Sequence, residues 1–377
     1  MLDHNPFYFR TLNADDPFCN RTKELQELTS YAKGRAHVVL YSPRRFGKTS
    51  LVRRVQKDLA DAGAITIYAD FFGVTSIEDV ASRLARAVYK VTHQQEGLFS
   101  KALKALKSFR PVIRPDEESG IAISVEPATT RLAGMELFAD TLEAIGVFID
   151  STGQLVQIAL DEFQEIVELR DALRIEGVMR SYLQNHKASY FFIGSRRRVL
   201  AAIFNDRQRP FFQSAINYEL DCLPENELAS FVSARFAEAG LSCPVEMASQ
   251  ISSQVRCHPY YSQKLAFFVY EVCSAKEIGA ITIREGFEAM FQAEKPVFEA
   301  TIQGLSLQQI TLLKALAREE TKSLLALDWM GRHRLASIGG TKGAKERLFS
   351  LDLIEQVGDK NGVWRVVDPV FAEWLRR

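Results

Sequence analysis

The stretch Tyr41-Ser42-Pro43-Arg44-Arg45-Phe46-Gly47-Lys48-Thr49-Ser50 decides the fold of this chain. It follows the apolar run Val38-Val39-Leu40 and precedes a helix-like segment from Leu51 to Asp61. A strand, a tight loop and a helix in this order bring several backbone N–H groups together at a helix N-terminus. Gly47, Lys48 and Thr49 supply a permissive backbone, a mobile cation and a hydroxyl for magnesium. The stretch therefore predicts a loop that binds the phosphates of a nucleotide.

The loop is a variant of the usual pattern, because Ser42 takes the place of the first glycine. Pro43 presets one φ angle, and Arg44 and Arg45 add charge that such loops ordinarily lack. A chance Gly-Lys-Thr is the alternative. We expect nucleotide contacts along the whole run, with a catalytic part for Lys48: Ser42, Pro43, Arg44, Arg45, Phe46, Gly47, Lys48, Thr49 and Ser50.

The composition limits the classes of protein to consider. A length of 377 residues predicts two or three domains, and 47% apolar residues allow a sizeable core. Lysine plus arginine and aspartate plus glutamate number 47 each, so no whole-chain field favours nucleic acid or membrane. The five scattered cysteines are typical of reduced thiols, and no long apolar segment or export signal is evident. We expect a cytoplasmic protein that does not bind membranes.

Strands and helices alternate after the loop. Residues 64–72 read as a strand and residues 76–92 as a helix, which predicts an α/β fold with a parallel, doubly wound sheet. Residues 109–127 break the alternation with prolines and two short apolar runs, so we expect an inserted β-hairpin. Its tip, Asp116 to Gly120, is expected to be mobile.

A carboxylate pair follows the next buried strand. The run from Leu155 to Leu160 is apolar and ends in Asp161 and Glu162. Ligands bind at the carboxyl ends of parallel strands, so we expect Asp161 to hold magnesium through water, together with Thr49. Glu162 would polarise the attacking water. The alternative is a strand end followed by an acidic, solvated helix.

Arginines cluster after a third buried strand, Tyr190 to Gly194. Residues 196–198 are three arginines, which need phosphates or acidic partners at such a position. Arg209 lies in a loop before an aromatic cluster, and a plain surface loop is the alternative there.

Helices dominate from Pro224 onward. Residues 225–239, 244–255, 259–274 and 284–303 read as helices. Further helices over 308–318 and 343–351 precede two strand-like runs at 353–357 and 363–367, which is the plan of a winged helix.

These residues together resemble a known family, the archaeal-type ATPases within the AAA+ and STAND group of P-loop proteins. The resemblance rests on Tyr41–Ser50, Leu160-Asp161-Glu162, Ile193–Arg196 and His258–Tyr261, and covers nearly the whole chain. It implies a P-loop ATPase core over residues 1–223, a helical lid over 224–304 and a winged helix over 305–377. It also implies binding of ATP and Mg²⁺, and ATP hydrolysis.

The resemblance further implies roles for single residues. Lys48 and Thr49 look like the phosphate-binding lysine and the magnesium ligand, and Asp161 with Glu162 looks like the Walker B pair. Ser195 and Arg196 lie where related ATPases sense the γ-phosphate. Further nucleotide contacts are implied for Phe18, Arg21, His258 and Pro259. Cys257 holds the place of a glycine in the lid motif.

The sequence allows more than one role for three of the arginines and for one histidine. Arg209 and the pair Arg197-Arg198 are candidates for an arginine finger, with a structural ion pair as the alternative. A finger supplied in trans would make hydrolysis depend on nucleotide-driven oligomerisation. His258 either approaches phosphate or simply caps and packs.

Two functions follow as hypotheses. The first is an ATP-dependent conformational switch that acts on an unidentified protein partner. The alternative is a DNA-binding AAA+ ATPase of initiator or motor type. Residues 321–377 hold ten basic and seven acidic residues, a weak excess for DNA binding. The basic residues that would contact DNA are Arg332, Arg334, Lys342, Lys345 and Arg347.

Overall fold

The computed structural model describes residues 4–13, 15–93, 95–116, 120–128, 133–358 and 362–377. Their helices are α1 (Thr22–Lys33), α2 (Lys48–Asp61), α3 (Ile77–Thr92), α4 (Glu96–Ala105), α5 (Gly134–Thr152), α6 (Ala172–Leu183), α7 (Arg197–Asn205), α8 (Glu225–Glu238), α9 (Val245–Gln254), α10 (Pro259–Val272), α11 (Ala280–Gln303), α12 (Leu307–Arg318), α13 (Leu327–Arg332), α14 (Ile338–Ser350) and α15 (Pro369–Arg376). A 3-10 helix spans Phe163–Glu168.

Five parallel strands form the central sheet in the order β2-β5-β6-β1-β7. They are β1 (Val38–Tyr41), β2 (Ile65–Asp70), β5 (Val156–Asp161), β6 (Ala188–Gly194) and β7 (Ile216–Glu219). Every residue of β5 and β6 is buried, as expected for strands covered on both faces by helices. The parallel sheet predicted from the sequence is confirmed. The edge strand β7 was not predicted, since most of its residues are exposed.

The inserted hairpin is also confirmed. Strands β3 (Phe109–Asp116) and β4 (Gly120–Pro127) pair antiparallel, with Phe109 opposite Pro127 and Ile113 opposite Ile123. Phe109 is buried, and Ile123 and Val125 pack against the core beside the sheet. The tip that we expected to be mobile includes residues 117–119, which lie outside the described residues.

The chain divides into two compact units, each with its own core. The core unit contains residues 11–17 and 21–221, and the C-terminal unit contains residues 4–10, 18–20 and 222–377. The sheet and its helices belong to the core unit. Helices α8–α15 belong to the C-terminal unit, where they share one apolar core with the antiparallel strands β8 (Ile354–Val357) and β9 (Val363–Val366).

The winged-helix segment differs from the sequence prediction at two points. Helix α14 begins at Ile338 rather than at residue 343, because the Ser337 side chain caps it by accepting from the Gly340 N–H at 3.0 Å. Helix α15 was not predicted. Asp368 caps it by accepting from the N–H groups of Val370 and Phe371, both at 2.9 Å. None of the described helices is long and apolar enough to cross a membrane.

Candidate functional site

The loop from Ser42 to Gly47 connects β1 to α2 in the core unit. Gly47 precedes the helix at φ 85°, and the space where a Cβ would project is open within 4 Å. The glycine is therefore required by its backbone conformation and not by crowding. Arg45 also adopts a left-handed conformation, with φ 66°. The bend directs the loop into the N-terminus of α2, where backbone N–H groups and the helix dipole favour an anion.

Lys48 lies folded inside this loop. Its side chain is buried, and Nζ donates hydrogen bonds to the Ser42 carbonyl at 3.0 Å and the Pro43 carbonyl at 2.9 Å. The Ser42 hydroxyl accepts a third at 3.2 Å. The cation is thus placed at the centre of the predicted phosphate loop, and the irregular Ser42-Pro43 pair supplies its acceptors.

The other loop residues divide by exposure. Arg44 and Arg45 are exposed at the loop surface, and Phe46 is partly exposed. Ser50 is buried, and its hydroxyl accepts from the Leu12 N–H at 3.1 Å, so it anchors the preceding chain to α2. The two arginines remain predictions for phosphate contact, whereas this bond gives Ser50 a structural task.

Thr49 and Asp161 meet at the carboxyl end of the sheet. The Thr49 hydroxyl donates to Asp161 Oδ2 at 2.7 Å, although 112 positions separate the two residues. Asp161 is 5% exposed, and its Oδ1 accepts from the Glu162 N–H at 2.9 Å. The β1–α2 loop and β5 therefore bring the two predicted metal ligands into direct contact.

The sequence did not single out Tyr68, which joins this pair from β2. Its hydroxyl donates to the same Asp161 oxygen as Thr49. Burial, followed by the charge of Asp161, raises the pKa of Tyr68, so its hydroxyl keeps its proton. The Arg53 guanidinium lies over the ring, 5.4 Å from its centroid. Side chains alternate between the two faces of β2, so Tyr68 lies on the same face as Thr66 and Asp70. This alternation was the sequence signal that could have marked Tyr68 as a site residue.

Glu162 has a left-handed backbone, with φ 48° and ψ 42°, between β5 and the 3-10 helix. Its Oε2 accepts from Gln164 Nε2 and from the Ser195 hydroxyl, the latter at 3.3 Å. Ser195 follows β6 directly, so the end of one strand reaches the carboxylate at the end of the next. The sequence missed Gln164, because two residues after the carboxylate it looked like one more polar position.

Two of the three arginines after β6 pair with acidic side chains. Arg196 pairs with Glu168 at 2.6 Å, and Arg197 pairs with Glu219 of β7. The need for acidic partners, one of the two alternatives from the sequence, is therefore met. The placement of Arg196 as a residue that senses phosphate stays a prediction.

Arg209 forms an ion pair with Glu176 of α6, with Nε 3.1 Å from Oε2. The Glu176 side chain is fully buried; burial raises its pKa and the Arg209 charge opposes this. Removing the arginine would leave a buried carboxylate uncompensated. This arrangement favours the structural ion pair over an arginine finger.

Arg21 also has partners within its own unit. It is 5% exposed, has φ 74°, and donates to Glu24 at 2.7 Å and to the Asp221 carbonyl at 2.6 Å. These bonds join the start of α1 to the end of the core unit. They give Arg21 a structural role beside the predicted nucleotide contact. Phe18, the other predicted residue nearby, is grouped with the C-terminal unit.

The predicted lid residues begin α10 in the C-terminal unit. His258 is its N-cap residue, with 6% exposure, and Pro259 is in the first turn, where proline suits a helix. Arg256 and Cys257 both have left-handed backbones, with φ 55° and φ 52°. Cys257 thus adopts a backbone conformation that glycine takes at less cost.

The five basic residues of the winged helix differ in their surroundings. Arg332 pairs with Glu319 at 2.7 Å and with Asp328 at 3.1 Å. The Lys345 ammonium lies 4.4 Å from the centroid of the Trp364 ring. Arg334, Lys342 and Arg347 are exposed.

The residues around Asp161 fit a nucleotide with magnesium. A hydroxyl and a carboxylate are the hard oxygen donors that Mg²⁺ prefers, and it usually takes its remaining ligands from phosphates and water. Among the described residues no cluster of three or more His, Cys, Asp or Glu could hold a metal.

Two family models match the sequence. Residues 18–193 match an "ATPase domain predominantly from Archaea", and residues 296–377 match a "probable winged helix domain". No curated protein matches the chain at a significant level.

Solved structures share the fold over nearly the full length. A Walker-type ATPase of Pyrococcus abyssi has a TM-score of 0.72 at 15% identity and covers 99% of this chain and 100% of its own. The ORC2 protein of Aeropyrum pernix in ADPNP–ADP complexes has a TM-score of 0.62 at 14% identity, with 97% and 94% covered. The ORC1 protein of the same organism, in complex with DNA, has a TM-score of 0.51 at 14% identity, with 96% and 93% covered. At these identities the likeness shows the fold alone.

Proposed function

Because residues 18–193 belong to the family of ATPase domains found predominantly in Archaea, the chain is an ATPase, and we propose that it works as a nucleotide-dependent switch of the AAA+/STAND type. One observation carries the proposal. Lys48 in its loop, the Thr49–Asp161 contact and Glu162 all lie at one end of the sheet. Phosphate binding, metal binding and activation of water are thus supplied by neighbouring elements of the core unit.

The residues of the core unit divide the reaction among them. The N–H groups of the loop and Lys48 bind the phosphates of ATP. Thr49 and Asp161 would hold Mg²⁺, which neutralises the charge that develops on the transferred phosphoryl group. Glu162 orients the attacking water and accepts its proton. Ser195 and Arg196, after β6, respond to the γ-phosphate.

Contacts inside the C-terminal unit support a switch as the output. Arg256, two residues before His258, donates to the Val366 carbonyl at 3.1 Å and to Glu320 at 2.9 Å. Tyr261, three residues after His258, donates to Asp368 at the start of α15. The segment assigned to the nucleotide is therefore bonded on both sides to the winged helix. A change in that segment would alter the conformation that residues 305–377 present to a protein partner.

The Glu162→Gln variant tests the hydrolytic part. We expect ATP affinity within about twofold of the parent and hydrolysis slower by at least about a hundredfold, since a general base typically contributes 10²–10⁴-fold. Steady-state phosphate release and binding of a fluorescent ATP analogue measure the two quantities. Hydrolysis at the parent rate would sink the role given to Glu162.

Hydrogen exchange tests the switch itself. The exchange rates of residues 305–377 should differ between the ADP complex and a complex with a non-hydrolysable ATP analogue. Identical rates in both complexes contradict a switch but leave hydrolysis untouched. Mass measurement in the same two states shows whether the nucleotide drives oligomerisation. We also propose a cytoplasmic location, because the five cysteines are scattered along the sequence without a Cys-x-x-Cys spacing, as is typical of reduced thiols.

A second candidate function is DNA binding by the winged helix. The observation in its favour is that Arg334, Lys342 and Arg347 are exposed at or just before α14. If they contact phosphates, binding of a duplex weakens steeply with salt, and Lys342→Glu with Arg347→Glu abolishes it. Lys104→Glu with Lys107→Glu, two exposed positions of the core unit, is the matched control and should bind the duplex like the parent. No shift of duplex mobility at about 50 mM salt excludes this function.

A further inference from the structure

Gln164 lies two positions after Glu162, in the first turn of the 3-10 helix. It is 1% exposed, and its Nε2 donates to Glu162 Oε2. The Ser195 hydroxyl donates to the same oxygen at 3.3 Å. Two donors from different elements therefore converge on one oxygen of the carboxylate that we assign to the attacking water.

Gly194, the last residue of β6, provides the space for this amide. A Cβ at Gly194 would lie 1.9 Å from Gln164 Oε1 and 2.8 Å from Leu200 Cδ1. Real Cβ atoms do not approach so closely, so an alanine there would displace the Gln164 side chain. Gly194 is required by this close approach, and Gln164 depends on the end of the same strand that carries Ser195.

Within the described part of the chain, only the nitrogen of the Gln164 amide forms a hydrogen bond, and its oxygen does not. Gln164 Oε1 is buried and has no hydrogen-bond partner among the described residues. An unpaired buried acceptor destabilises the fold, because its lost hydration is not replaced by another hydrogen bond. An apolar side chain of similar length would fill the same space without that cost, so packing alone does not explain a glutamine here. Its Nε2 donor, directed at Glu162, does.

The backbone conformation of Glu162 is a further reason why its carboxylate needs hydrogen-bond partners to orient it. A non-glycine residue in the left-handed region is strained, because its Cβ crowds the backbone carbonyl. Glu162 is held there because β5 precedes it and the fully buried Phe163 follows it. Its carboxylate then takes its direction from what it bonds to, namely Gln164 and Ser195.

We propose that Gln164 is a positioning residue for ATP hydrolysis, which holds the Glu162 carboxylate in place through its Nε2 donor while Gly194 admits it. The proposal rests on the role of Glu162 in the proposed function. It deepens that function by linking the end of β6 to the carboxylate through a second contact besides Ser195.

Gln164→Met tests the proposal, because methionine is similar in length and lacks the donor. We expect single-turnover hydrolysis to slow by at least about tenfold, since a misplacement of about 1 Å can cost about a hundredfold. Affinity for a fluorescent ATP analogue should stay within about twofold, which a general loss of structure would not allow. Gln184→Met, at an exposed position after α6, is the matched control and should hydrolyse ATP at the parent rate.

The double variant separates this inference from the proposed function. If Gln164 acts through Glu162, Gln164→Met causes no further loss in a Glu162→Gln background. A full additional loss there overturns the inference, as does a parent rate in the single Gln164→Met variant when Glu162→Gln is slow. A parent rate in Glu162→Gln instead overturns the role of Glu162.

Gly194→Ala provides a second variant if Gln164→Met lowers the thermal midpoint. It keeps the amide but occupies its space, so the hydrolysis rate should fall while the affinity for the ATP analogue holds. An unchanged rate in a folded Gly194→Ala protein contradicts the dependence on Gly194.

Discussion

Asp161 accepts hydrogen bonds on one oxygen from two hydroxyls that come from different elements. Thr49 reaches it from the start of α2 and Tyr68 from β2. Of these, Thr49 is the one expected to bind the metal, and Tyr68 holds the carboxylate by its hydrogen bond. Partners of metal ligands orient those ligands and tune the affinity of the site.

We expect Tyr68→Phe to raise the Mg²⁺ concentration at half-maximal ATPase rate by about tenfold, because loss of such a partner typically weakens metal binding 10–100-fold. The maximal rate at saturating Mg²⁺ should change less. Titration of free Mg²⁺ at fixed ATP measures both. Tyr182→Phe, which alters another partly exposed tyrosine of the core unit, is the control. Equal half-saturation in parent and Tyr68→Phe would show that Tyr68 does not support the site.

At the residue scale, the sequence predicted the site residues that belong to a motif. It did not predict those that reach the site through the pairing of strands. Thr49 and Asp161 follow from the order of residues around one loop and one strand end. Tyr68 reaches Asp161 because β2 pairs with β5 and places Asp70 beside Asp161. The position of the Gln164 side chain depends on the end of β6, which lies about 30 residues further along the chain. No local sequence pattern can reveal that contact.

The ion pair of Arg209 shows the same limit. From the sequence, a loop arginine fitted a finger as well as an ion pair. The structure places Arg209 against Glu176, which is fully buried. Nothing around residue 176 in the sequence marks its glutamate as buried, so its partner could not be inferred.

At the scale of elements, two histidines lie at the end of the sheet away from the phosphate loop. The His186 Nδ1 lies 2.6 Å from the Tyr190 hydroxyl of β6, and His37 Nδ1 accepts from the Tyr190 N–H at 3.3 Å. The pKa of both is lowered to about 4, mainly by burial; the charge of Arg180 contributes at His37, and Asp150 opposes the change at His186. The folded protein therefore holds both rings neutral.

This arrangement predicts a loss of stability in acid. The unfolded chain binds protons near the usual histidine pKa of about 6.5, whereas the folded chain does so only near 4. The contribution of the two histidines to the free energy of unfolding is fully present above about pH 6.5. It is lost as the pH falls toward 4, by about 2 kcal/mol per histidine between pH 7 and 5. Thermal midpoints of the parent and of a His37→Asn, His186→Gln variant measure this.

The double variant should lose less stability than the parent over that pH range. His4→Gln, at an exposed position, should behave like the parent. If the double variant and the parent lose equal stability from pH 7 to pH 5, the buried histidines are not the cause.

Most elements were predicted where the local pattern was strong. The strands β5 and β6 follow from unbroken apolar runs, and the helix α3 follows from a 3.6-residue period. The edge strand β7 was missed because its residues are largely exposed, and an edge strand carries no apolar run. Helix α15 was missed although Asp368-Pro369 is a clear start signal, since the preceding hairpin had already completed the expected plan.

At the scale of the whole molecule, the N-terminal segment differs from the division expected from the sequence, which placed residues 1–223 together in the ATPase core. Residues 4–10 are grouped with the C-terminal unit, although the core unit follows them in the chain. Phe7 packs edge-on against Phe236 with ring centroids 4.6 Å apart, and Arg235 donates to the Pro6 carbonyl at 3.1 Å. Such contacts span more than 200 positions, so no window of sequence contains them.

The inserted hairpin has a consequence for how copies of this chain behave in a crowded solution. A two-stranded ribbon has two open edges, and such edges invite strands from other molecules to add and to build aggregates. Pro111, Pro115 and Pro127 lie in β3 and β4 and have no N–H to offer to an incoming strand. Arg110 and Arg114, both exposed, also repel a like-charged copy. The edges of the ribbon are therefore poor templates for a strand from another molecule.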